Sequence, residues 1–324
     1  MTDPAPHAPI ERVAVLGAGT IGASWTALFL ARGLEVQVFD PSPSAEHDVR
    51  AYVARAWPSL ERLGLAGDGD PARLGFHQDA AAAVEGAQFV QESVPERLEI
   101  KHATYRAIEP RLAPEAIVAS SASGLLVREM QAGFARPERF LLAHPFNPPH
   151  LIPLVELLGN EHTAEATVAQ AEDFYARCGK TTIRLHKEVP GHVANRLQAA
   201  LWREAIHLVL EGVASLEDVD TAVAAGPGLR WAVMGPHMLF NLGAGDQGMA
   251  AFCARYGESF HRWWDDLGAP HLNDGVAARL QEGLAEAAGG RPLDQIAAAR
   301  DDRLVRLLQA LRSADQEEES GTLA

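Results

Sequence analysis

His144 and Glu156, twelve positions apart, are the residues in this sequence best suited by type and spacing to proton transfer. An imidazole, with an ordinary pKa of about 6.5, can take a proton from an alcohol at neutral pH, and a carboxylate can fix its tautomer and stabilise its charged form. His144 follows the apolar run FLLA and precedes Pro145, so it stands where a buried strand must stop. In a parallel α/β sheet that edge is where ligands bind. Taken alone, a His before a Pro is better read as ending a strand, with Glu156 an exposed strand-end charge. The rest of the chain overturns that reading.

Composition narrows the chemistry. The 324 residues are long enough for two domains with cores of their own, and 47% apolar with 22% charged residues describes a soluble globular protein. No apolar run is long enough to span a bilayer, and the N-terminal MTDPAPHAPIERV lacks the parts of a signal peptide, so a cytoplasmic protein without a membrane partner is expected. The net charge of −15, from 43 acidic against 28 basic residues, has the wrong sign for nucleic acid. Cys178 and Cys253 form no CxxC pattern, which argues against a disulfide framework and a metal site. Only Lys101, Lys180 and Lys187 are lysines, and the last two read as solvated surface charges.

The elements that must position His144 begin at VAVLGAGTIGASWTALFLARG. Val13, Val15 and Leu16 form a short strand, and Gly17, Gly19 and Gly22 follow at GxGxxG spacing, with Thr20 and Ile21 between the last two, opening an apolar helix. Gly17 permits the tight turn, Gly19 lets the backbone approach a pyrophosphate, and Gly22 lets the helix pack close to the strand. A second strand, VQVFD, ends on Asp40, eighteen residues after Gly22, where a carboxylate would hold the adenine ribose hydroxyls. Pro41 and Ser42 follow it, not Arg, which favours NAD over NADP.

Further strands end at FVQESV, AIVASS, FLLAHP and LIPLVELL, with helical segments between, and TTIRL closes the series near Leu185. This alternation predicts a doubly wound, mainly parallel sheet of the Rossmann type over residues 1–188. Serines 120, 121 and 123 lie at the carboxyl end of AIVASS, where such clusters commonly cap the next helix. Glu96 and Lys101 lie beside another strand end, either as a surface ion pair or on the rim of a cofactor pocket. After Pro190 and Gly191 no strand pattern appears, so residues 189–313 form a smaller all-helical domain, and the acidic tail 314–324 is expected to be disordered.

GAGTIG with Asp40, QESVPERLEIK, SSASGLL, AHPFNPPHLIPLVEL and KEVPGHVANRL, in this order, closely resemble the 3-hydroxyacyl-CoA dehydrogenase family over nearly the whole chain. The resemblance implies that His144 is a general base with Glu156 as its partner, and that Ser123 and Asn195 donate hydrogen bonds to the substrate. It also implies that Glu96 and Lys101 lie near the nicotinamide ribose and that the helical domain forms a homodimer. On its residues alone, Asn195 reads as a helix-start residue satisfying backbone.

AHPFNPPHLIPLVEL, GLRWAVMGP and the C-terminal GRPLDQIAAARDDRLVRLLQAL narrow the resemblance to the branch holding lambda-crystallin, L-gulonate 3-dehydrogenase and L-carnitine dehydrogenase, and most to the last. It implies NAD-dependent oxidation of the secondary alcohol of a free 3-hydroxy acid, L-carnitine foremost and L-gulonate next. A short-chain 3-hydroxyacyl-CoA dehydrogenase and a non-catalytic, crystallin-like NAD-binding protein are the other readings. A free acid needs a cation, for which Arg230, in a glycine-rich turn, is the candidate; a helix-end surface charge is the alternative. A trimethylammonium group is drawn to aromatic faces, which Phe146, Trp231 and Phe252 could supply, though each is equally at home in a core.

Overall fold

The computed structural model describes residues 9–319. Eight strands, β1 (Arg12–Leu16), β2 (Glu35–Phe39), β3 (Leu74–His77), β4 (Phe89–Glu92), β5 (Ile117–Ser120), β6 (Phe140–Pro145), β7 (Leu154–Leu158) and β8 (Thr181–Arg184), form one sheet in the order β3-β2-β1-β4-β5-β6-β7-β8. Neighbours from β3 through β6 are parallel, whereas β7 runs antiparallel to β6 and parallel to β8. The strand order reverses between β1 and β4, which opens a crevice at their carboxyl ends. The expected mainly parallel, doubly wound sheet is therefore present, with a reversal at β7.

Both faces of the sheet are covered, which explains why its strands read as nearly continuous apolar runs. Val13, Val15, Val36 and Val38 enter one core, while Ala14, Leu16 and Val90 enter the other, following the two-residue period of a strand. Helices α1 (Thr20–Ala31), α2 (Ala45–Arg62), α3 (Ala80–Ala83), α4 (Leu98–Ile108), α5 (Val127–Gln131) and α6 (Glu165–Arg177) connect the strands. Helix α1 is buried nearly all round, and its Trp25 stacks on Phe29 at 5.2 Å and meets Tyr175 at 5.5 Å. Its apolar composition is thus that of a core helix.

The chain divides into two compact units, one running up to Ala194 with Asp301–Ala310 added, the other comprising Asn195–Arg300 and the chain from Leu311. The second is helical: α7 (Ala194–Leu210), α8 (Leu216–Ala225), α9 (Pro227–Trp231), α10 (Pro236–Leu242), α11 (Gly248–Asp266), α12 (Asp274–Ala288) and α13 (Leu293–Glu319). Ser215 caps α8 by accepting the Asp218 N–H at 3.1 Å. Phe240 and Phe252, 5.1 Å apart, and Phe260 form an aromatic knot within this unit, and the Gly268 N–H bonds Glu204 at 2.8 Å.

The middle of α13 differs from the expected boundary, since residues 301–310 belong to the first unit. Val305 is fully buried in its core with Leu304 and Leu308 packed against it, and Gln309 donates to the Arg62 carbonyl at 2.6 Å. An amphipathic pattern fixes which face of a helix is buried but not which domain buries it. The helix also continues past 313 to Glu319, in a stretch containing good helix formers Gln and Glu. Residues 320–324 of the expected tail and residues 1–8 lie outside the described residues. No helix among the described residues is long and apolar enough to cross a membrane.

Candidate active site

The antiparallel turn-back after β6 builds the centre of the site. Its register sets His144 directly opposite Glu156, a relation in which β-carbons lie about 4.5–5.5 Å apart and side chains on one face meet. Nδ1 of His144 is 2.8 Å from Oε2 of Glu156. The other carboxylate oxygen accepts the backbone N–H groups of Val193 and Ala194, each at 2.9 Å. Glu156 is wholly buried, and burial raises its pKa, but the hydrogen bonds from His144, Ala194 and Val193 together outweigh it and hold the carboxyl below its ordinary range. An ionised Glu156 assigns the proton of neutral His144 to Nδ1, so Nε2 carries the lone pair. An imidazole and the carboxylate that fixes its tautomer thus stand at the carboxyl end of β6.

The glycine turn after β1 fits a dinucleotide. Gly17 has φ +91°, and a β-carbon there would lie 2.5 Å from the Ser93 carbonyl oxygen. A β-carbon on Gly22 would lie 1.8 Å from the Gly17 oxygen, whereas nothing lies within 4 Å of that position on Gly19. Gly19 therefore leaves open the approach to the start of α1, whose first amides receive no side-chain cap. Thr20 and Ile21 form the first turn of that helix. Asp40, just past β2, accepts the Ala18 N–H at 2.8 Å and the Ser42 N–H at 2.9 Å. A carboxylate has about four acceptor sites, so two remain for ribose hydroxyls.

Glu96 and Ser123 are brought together. Glu96 accepts the Ser123 hydroxyl and N–H, each at 2.8 Å, and the backbone N–H groups of Gly124 and Leu125. Burial raises this carboxyl's pKa, yet those bonds together leave it lowered. Lys101 pairs with Glu92 and not with Glu96. It is 1% exposed, and its ammonium donates to both oxygens of Glu92, at 2.6 and 2.8 Å, beneath Tyr105 and Ser120, which bond the same carboxylate. The buried carboxylate on β4 thus holds this ammonium at the carboxyl end of the strand.

Residues 12–189 match the family described as "3-hydroxyacyl-CoA dehydrogenase, NAD binding domain", and residues 191–273 match its C-terminal domain. The chain belongs to the 3-hydroxyacyl-CoA dehydrogenase family. It is an NAD-dependent oxidoreductase of that family. It is 46% identical to an L-carnitine dehydrogenase of Streptomyces coelicolor, over 96% of this chain and 98% of that protein. It is 45% identical to an L-carnitine dehydrogenase of Burkholderia mallei, over 93% of this chain and 94% of that one. Among solved structures it is similar to the NAD+-dependent dismutase 5-formyl-3-hydroxy-2-methylpyridine 4-carboxylic acid 5-dehydrogenase, at TM-score 0.80 and 32% identity, covering 94% and 99% of the two chains.

In this dehydrogenase the remaining candidates fall in both units. Phe146 sets its ring edge-on to His144, centroids 5.2 Å apart. Asn195 lies in the first turn of α7 and is half-buried. Arg230 is exposed on the five-residue helix α9, not in a turn, and Trp231 ends that helix 40% exposed. Phe252 belongs to the aromatic knot with Phe240 and Phe260.

Three further side chains, one on the loop that follows His144, one bonded to that loop and one beside the His144 ring, carry little sequence signal of a role. Lys180, read as a solvated charge, is 8% exposed; it donates to the Pro149 and Ile152 carbonyls and lies 4.9 Å from the Trp25 ring centroid. His150 accepts from or donates to Ser24 through Nδ1 at 2.8 Å while its N–H bonds the same hydroxyl. Together they pin the loop that follows His144. His192, inside KEVPGHVANRL, is buried with its ring centroid 5.3 Å from that of His144. Its only hint in the sequence is the Pro-Gly turn that precedes it.

Proposed function

We propose that this enzyme oxidises L-carnitine to 3-dehydrocarnitine. The observation that carries the reaction class is the His144–Glu156 pair, oriented by two backbone amides at the carboxyl end of β6. The substrate rests on the likeness to proteins named L-carnitine dehydrogenase over nearly the full chain. Nε2 of His144 takes the hydroxyl proton, and Glu156 stabilises the imidazolium that results. NAD, when bound, accepts the hydride from the carbinol carbon. Gly17, Gly19, Thr20, Ile21 and Gly22 would cradle the pyrophosphate and Asp40 the adenine ribose.

Ser123 and Asn195 would hold the substrate oxygen. Because the Ser123 hydroxyl donates to Glu96 in the structure, that role requires it to turn toward the substrate. Arg230 is the proposed partner of the substrate carboxylate. Phe146, next to His144, would offer its face to the trimethylammonium, with Trp231 and Phe252 as further faces. Residues 1–188 would bind NAD, and 189–313 would supply substrate and dimer contacts. Exposed Leu197, Trp202, Trp263 and Trp264 in the helical unit support a homodimer, in which each copy covers apolar area on the other. A cytoplasmic location goes with this reading.

The test is NAD reduction by one preparation with L-carnitine, L-gulonate and 3-hydroxybutyryl-CoA in turn. L-carnitine should give the highest kcat/KM, and Phe146→Ala should weaken carnitine binding by roughly 0.5–2 kcal/mol while sparing gulonate. A preparation that ignores carnitine but oxidises either other compound would remove the carnitine assignment and leave the dehydrogenase.

A further inference from the structure

His192 is 4% exposed, and neither of its ring nitrogens makes a hydrogen bond of standard geometry, the Ala122 backbone offering only a weaker contact. Burying an imidazole without a well-placed partner is unfavourable, because both nitrogens give up water and gain little in return. Its backbone stands at φ +50°, in the left-handed region where a residue bearing a β-carbon is held against its preference. Such features gather where the side chain is needed at that spot for something the protein alone does not supply.

The geometry names what that is. The His192 and His144 ring centroids are 5.3 Å apart, with the planes at 50°. An oxygen hydrogen-bonded to an imidazole nitrogen lies on the order of 4 Å from the ring centre. Rings at this separation therefore share a zone in which one oxygen can bond to both. The two are also tied mechanically, since the residues directly after His192, Val193 and Ala194, anchor the carboxylate that orients His144.

We propose that His192 donates an N–H hydrogen bond to the oxygen of the substrate's reacting hydroxyl while His144 takes that hydroxyl's proton. This rests on the dehydrogenase reading of His144. The hydroxyl proton passes to Nε2 of His144, the carbinol hydride leaves for NAD, and His192 keeps its own proton, bonded to the oxygen as hydroxyl becomes carbonyl. A neutral donor suits the task, because a second cation beside the imidazolium forming on His144 would oppose it. Burial first, and then His144, lower the His192 pKa, while Glu156, the Ala122 peptide and Glu96 act in the opposite direction; the net is downward, which keeps the ring neutral. A preorganised donor aimed at the oxygen where charge develops acts on the transition state more than on binding.

The test compares His192→Phe, His192→Gly and His192→Asn with the wild type in steady-state NAD reduction by L-carnitine, with NADH affinity measured by fluorescence on each. Phe keeps a ring but removes the donor, and Gly removes the ring and is at ease at positive φ, so it keeps the test open if Phe fails to fold. Both should lose on the order of 10²–10³ in kcat, the usual loss for one such donor, with KM and NADH affinity little changed. Asn, which tolerates the left-handed region and retains an N–H, should recover about tenfold or more of the kcat that Phe loses. Added imidazole should restore turnover to His192→Gly. A purely structural role would move NADH affinity or KM and would not respond to Asn or imidazole. Wild-type kcat in both donor-less variants, or an Asn variant no better than Phe, would overturn the proposal while leaving His144 as the base. A wild type that oxidises no hydroxy acid would overturn the dehydrogenase reading and this inference with it.

Discussion

Glu92 on β4 and Glu156 on β7 are two fully buried carboxylates in one sheet, each facing a basic side chain, at 2.6 Å for Lys101 and 2.8 Å for His144. Around Glu92 the bonds close on themselves. Lys101 takes both oxygens, Tyr105 and Ser120 add theirs, and the Val94 N–H completes the set. Around Glu156 two amides take one oxygen, and the imidazole on the other has a second nitrogen to offer. An ammonium ends a network, whereas an imidazole passes its effect across the ring. The same pairing of buried acid and base thus closes a network in one place and, in the proposed mechanism, is poised for proton transfer in the other.

The largest effect on stability should come from the closed network. Lys101→Met strands a buried carboxylate and should lower the unfolding free energy by about 3–5 kcal/mol in chemical denaturation. Activity of the molecules that stay folded should change little. If stability is kept and NAD binding is lost, Lys101 belongs with the cofactor after all and the contrast between the two carboxylates fails.

Glu156→Gln should sharpen the contrast from the other side, slowing kcat by roughly tenfold or more, though less than loss of the base itself. It should also change the acid limb of stability. The folded-state carboxyl is held below its ordinary value. Its contribution is therefore full above the unfolded pKa of about 4.3 and is lost as the pH falls through the folded value. The variant's stability should fall less steeply below about pH 4.3, read from denaturation midpoints across the acid range. Parallel wild-type and variant curves there would contradict this.

Asp40→Ala should have the smallest effect, raising KM for NAD about tenfold through loss of its hydrogen bonds to ribose. The rate with NADP should stay the same or rise, since a repulsive carboxylate is removed. Equal NAD and NADP turnover in the wild type would remove Asp40 from that role.

The parts of this contrast were unevenly legible in the sequence. The glycine turn and Asp40 could be read because their spacing is local: a strand, a tight turn and a helix within one stretch. His144 could be placed at a strand end from the apolar run before it and the proline after it, but its role as a base was implied only by the family resemblance. The reversal at β7 was also encoded, because Phe146 to Pro153 is too short for the crossover that a parallel partner needs. Lys101 and Lys180 could not be placed. Each charge is buried by a partner on another element, Glu92 at the end of β4 for one and the carbonyls of Pro149 and Ile152 for the other, and no periodicity marks such a pairing. The return of residues 301–310 to the first unit was hidden for the same reason.

In the proposed reaction His144, oriented by Glu156, takes the proton of the substrate alcohol. The most direct test is kcat and NADH affinity for wild type and His144→Gln, measured on matched folded preparations with L-carnitine and NAD. The variant should bind NADH as the wild type does and lose on the order of 10²–10⁴ in kcat. Wild-type turnover in His144→Gln would contradict it.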